Sequence, residues 1–423
     1  MKTIITSVKG TRDFYPEEMA YRSWLYRTIR EVVESFGYQE WDAPFLERVD
    51  LYAAKSGEEL VREQAFVFQD RGGDSVTLRP ELTPSLARMV AQRQSELVFP
   101  LRWWSFGPFW RYERPQKGRS REFFQWNIDI IGPTAPEADA ELLAIAATFF
   151  RKVGLESNQV KLMVNSRKLM NAELDRIGIQ DDQHRLVFQL IDRRDKLQPS
   201  EWDRYALEQG LSQDLLNGLK DLLNDENVWE RSEELQRAFR ILDSLGLRDY
   251  IRFDPQVIRG LDYYTGIVFE AKDVTGGRAI LGGGRYENLV NAVGGDPLPA
   301  SGFAMGDMMI GIVLEKFGKL PKFQNSPAQI LVTCFDAERL GRAYALAGEL
   351  RQAGLRVIVY PEAVKLQKQL KFADRTGVRF VLIAGPDEDA AGLVTVKDLS
   401  TMSQESLAKE NLAEGLIKKL AEA

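Results

Sequence analysis

The sequence is nearly devoid of two chemically versatile residues. Among 423 residues it has one cysteine, Cys334, and one histidine, His184. A single cysteine excludes an intrachain disulfide, and the chain reads as a protein of a reducing, cytoplasmic compartment. One Cys and one His cannot close a Cys/His zinc site or supply a Ser-His-Asp triad with a spare base, so no metal-ligating residues are expected. His184 lies in the charged stretch Asp182-Gln183-His184-Arg185 and reads as a surface residue. No apolar run approaches the ~20 residues of a membrane helix. Met1 to Gly10 has no apolar core of the kind a secretory signal needs. Excess positive charge is also missing. Lys+Arg number 56 against 62 Asp+Glu, a net charge of −6, which excludes a wholly basic nucleic-acid coat but permits a local basic patch. There is no internal repeat, and no phosphate loop of the G-x-x-x-x-G-K-[ST] type, because Gly318-Lys319 is followed by Leu320.

What is present is a globular composition, 44% hydrophobic and 28% charged, over a length suited to two or three domains. Leu25, Ile29, Val32, Val33 and Phe36 recur at helical spacing and predict a helix over Glu17–Phe36, stopped by Gly37. Leu142, Ile145, Phe149 and Val153 predict another over Pro136–Val153. Residues 167–247 have weak strand signals, and Leu207, Leu211, Leu215, Leu219 and Leu222 are spaced helically. That stretch reads as a helical insertion within a first domain spanning 1–322. A polar, proline-bounded linker lies near Pro321–Pro327. Beyond it, over 328–423, strands at Ile330–Val332, Leu355–Tyr360 and Arg379–Ala384 alternate with helices at Ala337–Gln352 and Val364–Thr376, the pattern of a compact α/β domain.

The most informative segment runs from Phe109 to Ile130 and reads as strand, loop, strand. Alternate strand residues share a face. Phe123, Gln125, Asn127 and Asp129 therefore lie on one side, and Phe124, Trp126, Ile128 and Ile130 on the other. On the first strand, Arg111 and Glu113 fall together, opposite Trp110 and Tyr112. The loop between carries Arg114, Lys117, Arg119 and Arg121. A face holding Arg, Glu, Gln, Asp and an aromatic ring can grip an anion, an amine and a planar group together. A solvated basic turn on an ordinary hairpin is the plain alternative.

Arg111-x-Glu113, a basic loop and Arg121-x-Phe123 resemble motif 2 of the class II aminoacyl-tRNA synthetases. The fuller string from Arg111 to Arg119 resembles that of the histidyl-tRNA synthetases. So do Arg259-Gly260-Leu261-Asp262-Tyr263-Tyr264-Thr265-Gly266-Ile267-Val268-Phe269-Glu270, Leu281-Gly282-Gly283-Gly284-Arg285-Tyr286 and Lys9-Gly10-Thr11-Arg12-Asp13-Phe14. The resemblance spans nearly the whole chain. It implies an α+β catalytic domain with a central antiparallel sheet and a helical insertion, then a smaller α/β anticodon-binding domain. It implies activation of L-histidine by ATP with Mg2+, transfer to tRNA(His), and a homodimer built on motif 1 near Phe36–Leu46.

The same resemblance implies residue roles. Arg111 and Arg259 are the catalytic cations; Arg111, Glu113, Arg121 and Phe123 bind ATP, with Phe123 stacking on adenine. Glu81, Thr83 and Gln125 receive the α-ammonium of histidine. Thr77 to Thr83 alternates in polarity, which places Glu81 and Thr83 on one face. Asp129 and Tyr264 pair with the ring nitrogens, and Tyr263 and Tyr286 complete the histidine site together with Arg111 and Arg259. Tyr263 also reads as a core aromatic. Gly282 to Gly284 allow close backbone approach to the ligand. Gln116 faces tRNA. In the last domain Lys365, Lys368, Lys371, Arg375 and Arg379, against Asp374, form a one-sided basic helix face suited to phosphates; Lys368, Lys371 and Arg375 are its tRNA candidates.

Three positions depart from the family pattern. Leu82 stands where Gly is common, and Phe124 where His or Tyr is common. Motif 3 of the family carries an arginine over the γ-phosphate, whereas Ser301 to Met309 keeps the glycine frame without it. Another cation, or Mg2+ with the motif 2 loop, must supply that contact. The competing reading is a non-charging paralogue resembling the regulatory subunit of ATP phosphoribosyltransferase. That protein lacks the C-terminal domain.

Overall fold

The computed structural model describes residues 4–53, 63–116, 118–258, 264–287, 290–323 and 327–422. Two compact units divide the chain: residues 1–13 with 21–321, and residues 14–20 with 322–423. The first contains strands β1 (Gln39–Glu40), β2 (Leu46–Arg48), β3 (Phe66–Gln69), β4 (Ser75–Leu78), β5 (Leu101–Trp110), β6 (Glu122–Ile131), β7 (Val160–Ser166), β8 (Ile251–Phe253), β9 (Tyr264–Asp273), β10 (Leu281–Tyr286) and β11 (Ala300–Gly306). Eight of them form one sheet in the order β1-β5-β6-β11-β10-β9-β7-β8. Every pairing from β5 to β7 is antiparallel, and only the edge pairs β1/β5 and β7/β8 are parallel. The sheet is thus mixed, with the antiparallel centre that the resemblance implies. Strands β2, β4 and β3 form a small separate sheet.

One face of the large sheet is closed by the helices Pro16–Ser35 and Glu137–Lys152. Trp126, Ile128 and Ile130 of β6 pack there with Trp104, Leu142, Ile145 and Phe149. The helix Glu137–Lys152 has acids in its first turn and bases in its last, as its dipole favours. Arg285 of β10 fastens it. Its guanidinium, almost wholly buried, holds Asp139 at 2.6 Å and the carbonyls of Pro133 and Ala135. Burial still pushes the Asp139 carboxyl up to about 6.

Helices Arg167–Arg176, Asp181–Arg193, Pro199–Glu208, Gln213–Asn224 and Glu233–Ser244 follow β7. The hydroxyls of Ser166, Ser212 and Ser232 cap three of them by accepting the N–H of Leu169, Leu215 and Leu235. His184 is not a surface residue. It is only 6% exposed, with Asp175 Oδ1 and Asp181 Oδ1 at 3.1 and 3.4 Å. The charged stretch around it is the first turn of an amphipathic helix, and His184 shares the inner face with Val187 and Ile191.

The second unit holds β12 (Ile330–Val332), β13 (Val357–Val359), β14 (Phe380–Ile383), β15 (Leu393–Asp398) and β16 (Gln404–Ala408), in the order β13-β12-β14-β15-β16. The first three are parallel and linked by helices Leu340–Gln352 and Leu366–Thr376, as the α/β alternation predicts. The antiparallel strands β15 and β16 extend the sheet beyond the last predicted strand. Among the described residues, no helix is long and apolar enough to cross a membrane.

Candidate functional site

The sheet face opposite the helices carries the site. Period-two alternation puts Phe123, Gln125, Asn127 and Asp129 of β6 on it. Register then builds a row across the sheet: Asp129 pairs with Gly302, Gly302 with Gly284, and Gly284 with Val268. One step along, Tyr286 pairs with Tyr264. The middle of that row has no side chains. It forms a floor bordered by Asp129, Tyr264 and Tyr286.

Packing requires those glycines. A Cβ on Gly302 would fall on the Asp129 carboxylate and lie 2.7 Å from the Ile128 carbonyl oxygen. On Gly284 it would lie 2.7 Å from the Ile267 carbonyl and 2.9 Å from the Tyr264 ring. Gly283 points to the other face, where Phe303 and the Gly302 carbonyl leave no room for a methyl. Strand-to-strand contact therefore accounts for Gly283 and Gly284 without a ligand. We expect Gly302→Ala to cost roughly 1–3 kcal/mol by overpacking and to disturb Asp129. Gly306→Ala, where a Cβ meets nothing within 4 Å, is the control. Equal melting temperatures for the two variants would sink this prediction.

Asp129 is the electrostatic centre of this floor. The Tyr286 hydroxyl donates to its Oδ1 at 2.7 Å. Burial pushes the Asp129 carboxyl up to about 7, and the Tyr286 bond opposes the rise only in part. Next to it on β6, Asn127 is buried, and its Nδ2 has no hydrogen-bond partner among the described residues. Buried donors are rarely left unpaired, which marks Asn127 as a candidate ligand contact. Sequence reading put Asn127 on this face and gave it no role. It also passed over Glu270, whose strand parity places it on the same face, across Gly282 and Ala304 from Asn127 and 2.5 Å from Lys272. The available signal for both was the period-two pattern extended to β9.

Arg111 lies beyond the end of β5, not within a strand as the alternation suggested. The ladder stops at Trp110. Arg111 N–H donates to the Arg121 carbonyl, and Glu113 N–H turns back to the Arg111 carbonyl. The Arg111 guanidinium stands 5.5 Å over the Phe123 ring, and its Nε donates to the Pro80 carbonyl at 2.9 Å. Pro80 precedes Glu81, so cation and carboxylate residue are brought to one place. Glu81 and Thr83 do not alternate on a strand. Strand β4 ends at Leu78, and Thr83-Pro84 opens the helix Thr83–Arg93. Both residues are half-buried, with the Tyr52 hydroxyl donating to the Glu81 carbonyl at 3.3 Å.

This connection is held from beneath by Arg79, fully buried between the rings of Phe45 and Phe109. It binds Asp42, at 2.5 Å, and the carbonyls of Ala43 and Pro108. It is a positioning residue that sequence reading missed. Phe123 itself stacks on Phe109.

The motif 2 loop is closed by Gln116 and Arg119, which exchange backbone hydrogen bonds across a turn in which Gly118 has φ 78°. Glu113 takes Arg119 at 3.2 Å. Arg121 lies 4.1 Å over Tyr112 and donates to the carbonyls of Glu113 and Lys9. Gly10 accepts from the N–H groups of Arg121 and Glu122. Arg12 reaches Asp307, whose Oδ1 accepts from Phe124 N–H. Arg259 and Tyr263 lie outside the described residues.

In the second unit, Lys368, Lys371 and Arg375 project from one exposed face of the helix Leu366–Thr376, and none is in an ion pair among the described residues. Arg379 departs from that face to bind Asp398 at 3.2 Å. A surface depression at the start of this helix is lined by Cys334, Phe335, Val364, Lys365 and Gln369.

Residues 10–308 match the family profile described as histidyl-tRNA synthetase, and residues 329–419 match the anticodon binding domain. A histidine–tRNA ligase of Thermoplasma volcanium is 40% identical, over 95% of this chain and 96% of its own length. The chloroplastic/mitochondrial histidine–tRNA ligase of Arabidopsis thaliana is 39% identical, over 95% and 85%. The crystal structure of histidyl-tRNA synthetase from Nostoc sp. PCC 7120 superposes with a TM-score of 0.86 at 26% identity, covering 99% of this chain and all of that one.

Proposed function

The chain belongs to the histidyl-tRNA synthetase family, and from that premise we propose how its own residues ligate L-histidine to tRNA(His). The observation that carries the reading is the floor of Gly302 and Gly284 with Asp129 and Tyr286 at its edge, on the same face of β6 as Phe123, over which Arg111 stands. Asp129 and Tyr264 take the imidazole nitrogens, and Tyr286 orients Asp129. Glu81, Thr83 and Gln125 take the ammonium group. Arg111, Arg121 and Phe123 take MgATP, with Glu113 steadying the loop through Arg119. A carboxylate oxygen of histidine attacks the α-phosphorus, and pyrophosphate leaves with the electrons of the broken Pα–O bond. Two anions meet in this step, so fixed cations stabilise it more than a general base does. The Asn127 amide is placed to donate to a substrate oxygen. Arg259, by its place in the signature, is the second cation.

ATP–pyrophosphate exchange with each of the twenty amino acids tests the reading. Exchange with histidine alone is the expected result; exchange with none would overturn it. The regulatory-paralogue alternative is not favoured, because the match over 329–419 supplies the domain which that paralogue lacks.

The basic helix face and the motif 2 loop, including Gln116, are assigned to tRNA. The support is the open Lys368, Lys371 and Arg375 row beside a depression carrying Phe335, 38% exposed. Replacing the three cations by alanine is expected to weaken tRNA binding and to lower the salt slope by about one unit per lost phosphate contact. Histidine-dependent exchange should hardly change. Unchanged affinity and slope would show the face to be solvated surface.

A homodimer and a reducing, cytoplasmic setting complete the proposal. Phe45 and Leu46, at the start of β2 in the small sheet, are about half exposed (45% and 47%), an apolar patch consistent with a two-fold contact. A monomeric mass by light scattering at micromolar concentration would count against the dimer.

A further inference from the structure

Motif 3 here is Ser301 to Met309, the strand β11 and the start of the helix Asp307–Lys316, and it contains no arginine. The side chain that this helix sends toward the motif 2 loop is Met309. A Cβ built on Gly118 would lie 2.6 Å from the Met309 sulfur. The same point is 3.9 Å from Nη1 of Arg278. A guanidinium and a thioether therefore share one small space under the motif 2 turn, and they come from different elements. Arg278 belongs to the loop between β9 and β10.

That loop is tied down on the motif 3 helix. Lys316, in its last turn, donates to Asp273 at 2.9 Å and also bonds Thr275; Asp273 in turn accepts from the Thr275 N–H and hydroxyl. The loop that carries Arg278 is thus anchored at its start on the helix that has no arginine. The arginines at the ends of the motif 2 turn are engaged in holding it: Arg119 on Glu113, Arg121 on two carbonyls and Tyr112, Arg111 on Pro80.

We propose that Arg278 is the cation that binds the terminal phosphates of ATP in this chain, taking from the β9–β10 loop the task for which motif 3 has no arginine. The inference rests on the ligase reading above. Its chemistry is the leaving group's. As the histidine carboxylate oxygen bonds to the α-phosphorus, the bridging Pα–O bond breaks and pyrophosphate carries away its electron pair. A guanidinium with paired N–H donors stabilises that growing charge better than an ammonium does. Met309 leaves the space open to Arg278.

The test compares Arg278→Ala, Arg114→Ala and the double variant Arg278→Ala, Met309→Arg with the unaltered chain. Arg114, an exposed arginine of the motif 2 loop, is the rival for the role. For Arg278→Ala the KM for ATP should rise about 10-fold or more and exchange should fall by a similar factor, the effect of one lost preorganised charge. Affinity for a histidyl-sulfamoyl-adenosine, which has no β- or γ-phosphate, should stay within twofold. The double variant should recover much of the loss, because Met309→Arg returns a cation to the same space. A KM for ATP within twofold of the unaltered chain overturns the proposal. So does an equal loss of affinity for the sulfamoyl-adenosine, which would mean a structural role. A larger ATP effect in Arg114→Ala, or no recovery in the double variant, also overturns it. Absence of histidine-dependent exchange in the unaltered chain would instead remove the ligase reading itself.

Discussion

Asp129→Asn is expected to lower kcat/KM for histidine by about 10³-fold or more and to raise the melting temperature at pH 8. Both results follow from one carboxylate. A site built to hydrogen-bond a polar group strongly rejects a mismatched pairing, because the buried partner is left unsatisfied. Asparagine still accepts from Tyr286 but brings no charge to the imidazole. The stability effect has the opposite sign. Burial raises the Asp129 carboxyl from its ordinary value to about 7, so the folded chain binds the proton more tightly than the unfolded one. That contribution to stability is complete below about pH 4 and is lost as pH rises through 7. At pH 8 the unliganded fold carries a buried carboxylate at a cost on the order of a few kcal/mol. The amide removes the cost, so the variant gains most at pH 8, less at pH 5 and nothing below about pH 4. The same titration makes kcat/KM for histidine climb as pH rises toward 7 and then level off. Below it, a protonated Asp129 and an imidazolium hold one proton too many. Thermal melts and exchange assays at pH 5, 6, 7 and 8 read both. A variant that is less stable at pH 8, or that keeps a tenth of its activity, would contradict the placement of Asp129.

How far the sequence could be read depended on which residues answer to a period. On β6 one face is buried under helices and the other carries the site, so alternation separated Trp126, Ile128 and Ile130 from Phe123, Gln125, Asn127 and Asp129 correctly. The same rule failed one residue past Trp110. There the chain leaves the ladder, and nothing local distinguishes Arg111 in a strand from Arg111 at its exit. It failed again from Leu78 to Thr83, where alternating polarity belongs to a strand end, a Pro80 bend and a helix start. Arg79 and Arg285 are charged residues placed inside by partners far away in sequence, Asp42 and Asp139, whereas His184 is buried on the inner face of its helix beside the nearby Asp181 and Asp175. A reading that assigns charge to the surface has no access to such partners. The glycines of β10 answer to two constraints. The resemblance suggested room for a ligand, and the neighbouring strands independently require Gly283 and Gly284.

Arg111→Ala is expected to cut histidine-dependent pyrophosphate exchange by at least ~10²-fold, mainly in kcat, because it withdraws a fixed charge from the point where carboxylate and α-phosphate meet. The structure explains why this arginine is preorganised. Its Nε is committed to the Pro80 carbonyl at 2.9 Å, and its guanidinium carbon lies 5.5 Å from the centre of the Phe123 ring. These two contacts leave the guanidinium little rotamer freedom to lose. Pro80 is in turn fixed by the buried Arg79 beside it, which reaches both Asp42 and the β5 carbonyl of Pro108. Lysine cannot reproduce this arrangement. Its single ammonium would have to choose between the Pro80 carbonyl and the phosphate, and it has no plane to lay on the ring. Arg111→Lys should therefore recover less than a tenth of the lost rate. Histidine affinity without ATP should change far less than the rate in either variant, since Asp129, Tyr264 and Glu81, the proposed partners of the imidazole and ammonium groups, are untouched. Exchange in Arg111→Ala above a tenth of the unaltered rate, or full recovery by lysine, would show that the guanidinium does not act on the transition state and that its contacts with Pro80 and Phe123 serve only the fold.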